Sequence, residues 1–294
     1  LLDLGYVGFY AVGAYAYALL ASPHFGIHLP FWVILPLGAG LACIFGVLLG
    51  APTLKLRGDY LAIVTLGFGE IVRIFMNNLN APVNITNGAQ GITLIDPIRI
   101  GDFSFAQTSS FLGVTLSGPQ KYYFLLVALA LLVIMVNIRL QDSRIGRAWQ
   151  AIREDEIAAK ACGINTRNIK LLAFAMGASF GGIAGGVFSA MQGFVSPESF
   201  SLMESITILA MVVLGGMGHI PGVILGAILL TGLPEALRYG IEPLQRALFG
   251  RMIVDPESLR MLVFGLALVL VMRFRPAGLW PSSQRRRELA ESAG

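Results

Sequence analysis

The sequence predicts an all-α polytopic membrane protein, and three observations lead to that fold class. Of its 294 residues, 55% are hydrophobic and only 13% are charged, with a mean hydropathy of +0.73. Soluble domains carry roughly 25% charged residues, so a soluble chain of this length would lack polar surface. The apolar residues fall into eight runs that can cross a bilayer, and the basic residues cluster in a few of the segments between them. These features exclude the soluble, disordered and disulfide-scaffold classes.

Eight transmembrane helices are predicted, because a span needs ~20 predominantly apolar residues and backbone groups in lipid must bond internally. The predicted spans lie near 4–21, 31–50, 60–79, 120–138, 171–191, 203–216, 219–237 and 259–274. The sixth is short and ends in a glycine-rich turn, so we expect a broken or steeply packed helix there. Residues 1–280 therefore form one transmembrane domain and 281–294 a basic tail. We expect further sequence before Leu1, because the chain starts abruptly within an apolar segment.

The basic residues predict the orientation. Seven of them lie in 139–170, and five more lie in or after the last span. The segments on the other side contain almost none, with Arg99 alone in 22–30, 81–119 and 192–203 together. Basic loops remain in the cytoplasm, so 139–170, the tail and, with an even number of spans, the start of the chain are predicted to be cytoplasmic. Segment 239–258 departs from this rule, since it carries two arginines on the predicted outer side.

The third and seventh predicted spans share a short pattern. A glycine is followed by Glu three residues later and by Arg six residues later, giving Glu70 and Arg73 in one span and Glu235 and Arg238 in the other. The same offset aligns the first two spans with the fifth and sixth. This indicates a parallel repeat of two four-helix halves. Chance similarity between helix ends is the alternative.

Glu70 and Arg73 are spaced to lie on one helix face at membrane depth, where ionisable residues are costly and by default suggest function. One interpretation is a self-neutralising structural pair near the outer interface. The other is a relay in which Glu70 meets the ammonium, and Arg73 the carboxylate, of a zwitterion. The same pair at Glu235 and Arg238 favours the structural interpretation, because a repeated structural element explains both.

The fifth predicted span carries a glycine face, formed by Gly177, Gly181, Gly182, Gly185 and Gly186. Glycines four residues apart make a flat surface on which another helix backbone can approach closely. We expect tight packing within this chain. A pore-side or subunit-contact face that slides during conformational change is the alternative.

The 81–119 loop contains the run Thr86, Asn87 and Gly88. Gly88 favours a turn, and Thr86 or Asn87 can cap a re-entrant or surface helix.

The 139–170 loop is long for a connection between spans and holds seven basic and four acidic residues. Asp142 or Ser143 can cap a first short helix, and Asp155 a second that stops at Gly163. Such a loop presents two small charged helices to the cytosol. A simple solvated, positive-inside loop would have the same composition.

Within this loop, Ala158 and Ala159 followed by Gly163 resemble the EAA loop of ABC-importer permeases, with the motif's glutamate displaced to Glu156. The wider string RAWQAIREDEIAA at 147–159 is similar to the LivM-type permeases of branched-chain amino acid ABC importers. Further matching stretches are DLGY at 3–6, LRGDY at 56–60, LGGMG at 214–218 and RPAGL at 275–279. The resemblance covers the chain from Leu1 to about Trp280.

The resemblance implies a permease subunit that moves branched-chain amino acids, or related small solutes, inward across the bacterial inner membrane. The implied partners are a second, LivH-type permease subunit, two cytosolic ATPase subunits that bind ATP and Mg²⁺, and a periplasmic substrate-binding protein, with no nucleic acid. The implied ATPase-coupling residues are Arg147, Trp149, Arg153, Glu154, Asp155, Glu156, Ala158, Ala159, Gly163 and Asn165. Docking of the binding protein is implied near Thr86, Asn87 and Gly88.

The chain contains no P-loop string and no zincin spacing among its three histidines, and neither a Gly-x-Ser-x-Gly string nor an acid–base pair appears with catalytic partners on one face. We therefore predict a transporter subunit rather than an enzyme, with no catalytic residue, metal site or bound cofactor of its own. The second hypothesis for the function is an ion-gradient-driven amino acid transporter, which the repeat and Glu70 favour. Such carriers, however, need no cytoplasmic loop like 139–170 to couple transport to an ATPase. Permeases of the same family for urea, amides or aromatic acids are alternatives for the substrate.

Overall fold

The computed structural model describes residues 3–54, 56, 59–101, 103–111 and 114–249, together with 262, 265, 266, 269, 273, 274 and 278–280. The described chain is mostly helical. Its helices are α1 (Tyr6–Leu20), α2 (Phe31–Thr53), α3 (Asp59–Asn78), α4 (Gly118–Gln141), α5 (Arg144–Glu154), α6 (Glu156–Ala161), α7 (Thr166–Gln192), α8 (Leu202–Gly215) and α9 (Ile220–Phe249). Short 3₁₀ turns occupy Gly88–Gln90 and Pro197–Phe200. The chain divides into two compact units, Leu1–Ser205 and Ile206–Gly294.

Five helical segments are long and apolar enough to cross a membrane: Phe31–Thr53, Tyr60–Asn78, Gly118–Gln141, Thr166–Gln192 and Pro197–Gly215. Two shorter apolar helices are Tyr6–Leu20 and Ile220–Leu233. These seven overlap the first seven predicted spans. The eighth, 259–274, lies largely outside the described residues, as does the tail 281–294.

The 81–119 loop departs from the all-α prediction, because it contains short antiparallel strands. The strands of the described chain are β1 (Ile92–Thr93), β2 (Arg99–Ile100), β3 (Phe103–Ser104), β4 (Ser109–Phe111), β5 (Val114–Leu116) and β6 (Phe194–Val195). β2 pairs with β3, β4 with β5, and β1 with the distant β6. Strands of two or three residues are too short to show the alternation by which a strand is recognised in a sequence.

The core of the first unit is the packing of α1 against α2 and α7. Small residues allow the backbones to meet: a Cβ on Gly182 would lie 2.6 Å from the Cβ of Ala42. A Cβ on Gly185 would overlap the carbonyl oxygen of Tyr10. This is the close approach that glycine faces permit in membrane helices.

In the second unit, the last described residues form hydrogen bonds with the end of α8. The Leu279 N–H donates to the Leu214 carbonyl at 2.8 Å, and the Trp280 N–H to the Gly215 carbonyl at 3.0 Å. These bonds satisfy carbonyls that the end of α8 would otherwise leave unpaired.

Candidate functional site

The charged 139–170 loop folds into α5 and α6, and its sequence determines where each helix begins. Ser143 Oγ accepts from the Gly146 N–H at 3.1 Å at the start of α5. Asp155 Oδ1 accepts from the N–H groups of Ile157 at 2.7 Å and Ala158 at 3.1 Å at the start of α6. The structure confirms both predicted caps.

Gly163 ends α6 through its backbone conformation. Its φ is +83°, its N–H donates to the Lys160 carbonyl at 3.0 Å, and the Ile164 N–H donates to the Ala159 carbonyl at 3.1 Å. This is a Schellman ending, which favours glycine at the left-handed position. A Cβ there would meet nothing within 4 Å, so the backbone conformation, rather than a side-chain contact, requires this glycine.

One face of the loop packs against α7 and forms a hydrogen bond and an ion pair with it. The Trp149 Nε1–H donates to the Ile169 carbonyl at 2.7 Å, and Ala159 is only 3% exposed. Glu156 forms ion pairs with Lys170 at 2.6 Å and with Lys160 at 3.2 Å. The hydrogen bond from Lys170 is the largest cause that lowers the pKa of Glu156, to about 2. The lowered pKa contributes stability that is lost as the pH falls from about 4.5 toward 2.

The other face of the loop is exposed. The predicted coupling residues on it are Arg147, Arg153, Glu154, Asp155, Ala158, Gly163 and Asn165. Ile157, which no sequence motif singled out, is 79% exposed among them. Its only sequence signal is a β-branched apolar residue within a charged run. The structure therefore separates the predicted coupling residues into an anchoring set, with Trp149, Glu156 and Ala159, and an exposed set.

The intramembrane pair forms a larger cluster than the sequence predicts. Arg73 donates to Glu70 Oε1 from Nη2 at 2.5 Å and from Nε at 3.0 Å. Its Nη1 donates to Glu198 Oε1 at 3.2 Å. Glu198 lies in the 3₁₀ turn 125 residues away in sequence, and no periodicity or motif links it to Arg73. One guanidinium thus already contacts two carboxylates.

The second predicted pair is described only in part. Glu235 lies on α9 with an exposed side chain, whereas the side chain of Arg238 lies outside the described residues.

The glycine face of α7 is not uniform. Gly181, Gly182, Gly185 and Gly186 each have atoms of α1 or α2 within 4 Å of the position that an added Cβ would occupy. Gly177 has nothing within that distance and lines a cavity of about 230 Å³. Four of the five glycines therefore contact α1 or α2 within the chain, and the fifth does not.

The residues predicted to dock the binding protein, in the 81–119 loop, are mostly buried or hydrogen-bonded within the chain. Thr86 is buried and its Oγ1–H donates to the Met76 carbonyl at 2.5 Å. Asn87 adopts a φ of +61° and its Nδ2–H donates to the Gly91 carbonyl at 2.9 Å. Gly88 is also buried, so the exposed positions of the following turn are Ala89 and Gln90.

Among the described residues, no group of three or more His, Cys, Asp or Glu side chains is placed to hold a metal ion.

Comparison with known proteins covers almost the whole chain. Residues 1–272 match the family described as the permease component of the branched-chain amino acid transport system. The chain is 45% identical over 305 residues to the high-affinity branched-chain amino acid transport system permease protein LivM of Escherichia coli (strain K12). That match covers 100% of this chain and 67% of the relative, so the chain spans about two thirds of the length of that protein.

Two further relatives extend the comparison. The probable branched-chain amino acid transport permease protein LivM of Methanocaldococcus jannaschii is 28% identical, over 92% of this chain and 74% of its own length. The permease protein LivH of Escherichia coli (strain K12) is 31% identical, over 56% of this chain and 50% of its own length. No solved structure matches the chain. Because the family match includes 272 of the 294 residues, the chain belongs to the family of permease components of branched-chain amino acid transport systems.

Proposed function

We propose that this chain is the membrane-spanning subunit of an ABC importer that carries branched-chain amino acids inward across the bacterial inner membrane. The observation that carries the proposal is the family match over residues 1–272, with 45% identity to a LivM protein along the full chain. Separate ATPase subunits, which bind ATP and Mg²⁺, supply the energy.

The exposed face of α5 and α6 is the surface that contacts the ATPase. It combines the apolar Ile157 and Ala158 with the charged Arg153, Glu154 and Asp155. Interfaces of this kind use a small apolar centre with a polar rim. The ion pair of Glu156 with Lys170 joins this surface to α7, which packs on α1 and α2. Movement of the loop is thereby transmitted to the packed helices.

The partners follow from the same family. The Escherichia coli strain whose LivM is similar to this chain also has the related permease protein LivH. We infer a heterodimer of this chain with a LivH-type subunit and two cytosolic ATPases. A periplasmic binding protein delivers the amino acid near residues 86–90, where Ala89 and Gln90 are exposed.

The 139–170 loop and both ends of the chain are assigned to the cytoplasm. The distribution of basic residues supports this topology. This topology places the α8–α9 turn and the end of the eighth span on the same, cytoplasmic side of the membrane. The hydrogen bonds from Leu279 and Trp280 to the end of α8 join these two segments, and they therefore also support the topology. The parallel repeat of two four-helix halves is retained as a hypothesis resting on the sequence pattern alone.

We assign the Glu70–Arg73 pair a structural role. Arg73 already donates to both Glu70 and Glu198, so a substrate carboxylate would have to displace one of them. The zwitterion relay is therefore the less favoured interpretation.

The test is leucine uptake into proteoliposomes that contain the whole transporter. Uptake should require ATP, the ATPase subunits and the binding protein. Uptake driven by an ion gradient through this chain alone would overturn the proposal and favour a secondary transporter.

Ile157→Asp tests the coupling surface. It places a charge at the centre of the contact, so we expect the affinity between the permease and the ATPase to fall about 10-fold or more, as loss of ~1.4 kcal/mol implies, and the leucine transported per ATP hydrolysed to fall with it. Ile100→Asp is the matched control, because Ile100 is also exposed but lies in β2, on the opposite side in the proposed topology. Equal effects of the two substitutions would reject the surface.

A further inference from the structure

Asp3 lies beside the first half of α3, a helix long and apolar enough to span a membrane. The N–H of the next residue, Leu4, donates to Thr65 Oγ1 at 3.0 Å, and a Cβ on Gly69 would lie 3.2 Å from the Cα of Gly5. Thr65 and Gly69 are about 9 Å and 15 Å along α3 from its first residue, at 1.5 Å per residue. Since α3 is long and apolar enough to span the membrane, Asp3 is placed at membrane depth.

The carboxyl group of Asp3 accepts a hydrogen bond from a polar but uncharged group. Asp3 Oδ1 accepts from the Gly5 N–H at 2.8 Å. In the part of the chain that the structure describes, Asp3 forms no ion pair. Ionisable groups at this depth are expensive, and they commonly mark the path of a substrate or ion.

A cavity of about 230 Å³ opens beside Asp3. Its lining residues are Asp3, Tyr6, Ala173, Phe174, Gly177 and Ala178. The lining thus provides one carboxylate, one phenol, an aromatic ring and small aliphatic groups. Gly177 contributes open space, because an added Cβ would meet nothing within 4 Å.

We propose that this cavity is a binding site for an aliphatic amino acid during its passage through the membrane. Asp3 accepts hydrogen bonds from the α-ammonium group, a cation that no ion pair of the described residues supplies to it. Phe174, Ala173 and Ala178 contact the aliphatic side chain, and the start of α1, with its positive dipole end, lies near the carboxylate. The assignment rests on the proposed function, since it names where the transported amino acid binds.

The first experiment compares three variants of the reconstituted transporter. Asp3→Asn keeps the acceptor oxygen for Gly5 but removes the charge, and Gly177→Leu fills the cavity. Gly40→Leu is the matched control, because Gly40 also has open space around it but lies on α2 away from the cavity. We expect Asp3→Asn and Gly177→Leu to lower leucine uptake per ATP at least about 10-fold, and Gly40→Leu to change it less than twofold.

The second experiment measures occupancy directly. In a variant with Cys43 and Cys162 replaced by alanine, Gly177→Cys is labelled with a small cationic thiosulfonate. Leucine should slow the labelling, whereas its keto acid, 4-methyl-2-oxopentanoate, should not, because it has no ammonium group. Adding Asp3→Asn should abolish the protection by leucine.

The outcomes separate the cavity assignment from the proposed function. Absence of ATP-driven leucine uptake by the wild-type transporter would reject the proposed function. Normal wild-type uptake, together with unchanged uptake in the Asp3 and Gly177 variants or equal protection by leucine and the keto acid, would overturn the cavity assignment alone.

Discussion

Helices α1 and α4 are both apolar, yet their surroundings are opposite. Eleven of the 15 residues of α1 are buried, and the helix packs against α2, α3 and α7. In α4 the buried residues are Gly118, Lys121 and Tyr122, at its start, and none in its apolar stretch is buried. Hydropathy alone does not distinguish the two helices, because lipid tails are as apolar as a leucine side chain.

The composition of the two helices explains the difference. α1 is rich in glycine, alanine and tyrosine, whereas α4 is rich in leucine, valine and isoleucine. Small residues let helix backbones approach, and large aliphatic residues suit contact with lipid or with another subunit. α1 is therefore part of the packed core, and α4 presents its apolar surface outward.

Gly185→Leu tests the packed side of this comparison and should have the largest effect. An added Cβ overlaps the carbonyl oxygen of Tyr10 in α1, and that backbone cannot move as a side chain could. We expect a loss of about 3 kcal/mol or more in the free energy of unfolding. Thermal unfolding of the detergent-solubilised protein measures it. Gly40→Leu is the control, and equal melting temperatures for the two variants would contradict the close packing of α1 with α7.

Lys121→Met tests how α4 is held at its start. The buried Lys121 Nζ donates to the Ser104 carbonyl at 2.9 Å and the Gln107 carbonyl at 2.5 Å, and it lies 4.4 Å from the centre of the Phe103 ring. Removing the ammonium leaves two carbonyls without this donor, which should cost about 1–3 kcal/mol.

The measurement is thermal unfolding combined with limited proteolysis of the 99–116 region, which should become more susceptible. Lys160→Met is the control, since Lys160 is exposed and its ion pair with Glu156 spans one helical turn. Such exposed pairs contribute ~0.3–0.5 kcal/mol. Equal destabilisation by both substitutions would reject the anchoring role of Lys121.

Leu131→Ala tests the exposed side of α4 and should have the smallest effect. Leu131 is 61% exposed, so its truncation should change the free energy of unfolding of the isolated chain by less than about 0.5 kcal/mol. Leu61→Ala, at a residue only 2% exposed, should cost about 2–5 kcal/mol. Similar melting temperatures for the two variants would show that α4 is packed in solution, and would remove the contrast with α1.

Local signals in the sequence predicted much of the charged loop. Ser143 and Asp155 cap the two short helices because their side chains accept from N–H groups two or three residues away. Gly163 ends α6 because its backbone adopts a left-handed conformation. These interactions act between neighbours along the chain, so they can be recognised without knowing the fold.

Contacts between distant segments could not be predicted in the same way. Glu198 joins Arg73 across 125 residues, and β1 pairs with β6 across about 100 residues. The 139–170 loop has an anchored face and an exposed face only because Trp149 and Glu156 reach α7.

The sequence by itself determined the membrane class, the apolar spans, the helix ends in the charged loop and the family. These follow from composition, from runs of apolar residues and from bonds between close neighbours. Only the tertiary structure decided which apolar helix is buried and which is exposed, and that Gly177 lines a cavity while Gly185 packs on α1. In a membrane both surroundings are apolar, so the position of a helix depends on which backbones come into contact, and that depends on the fold of the whole chain.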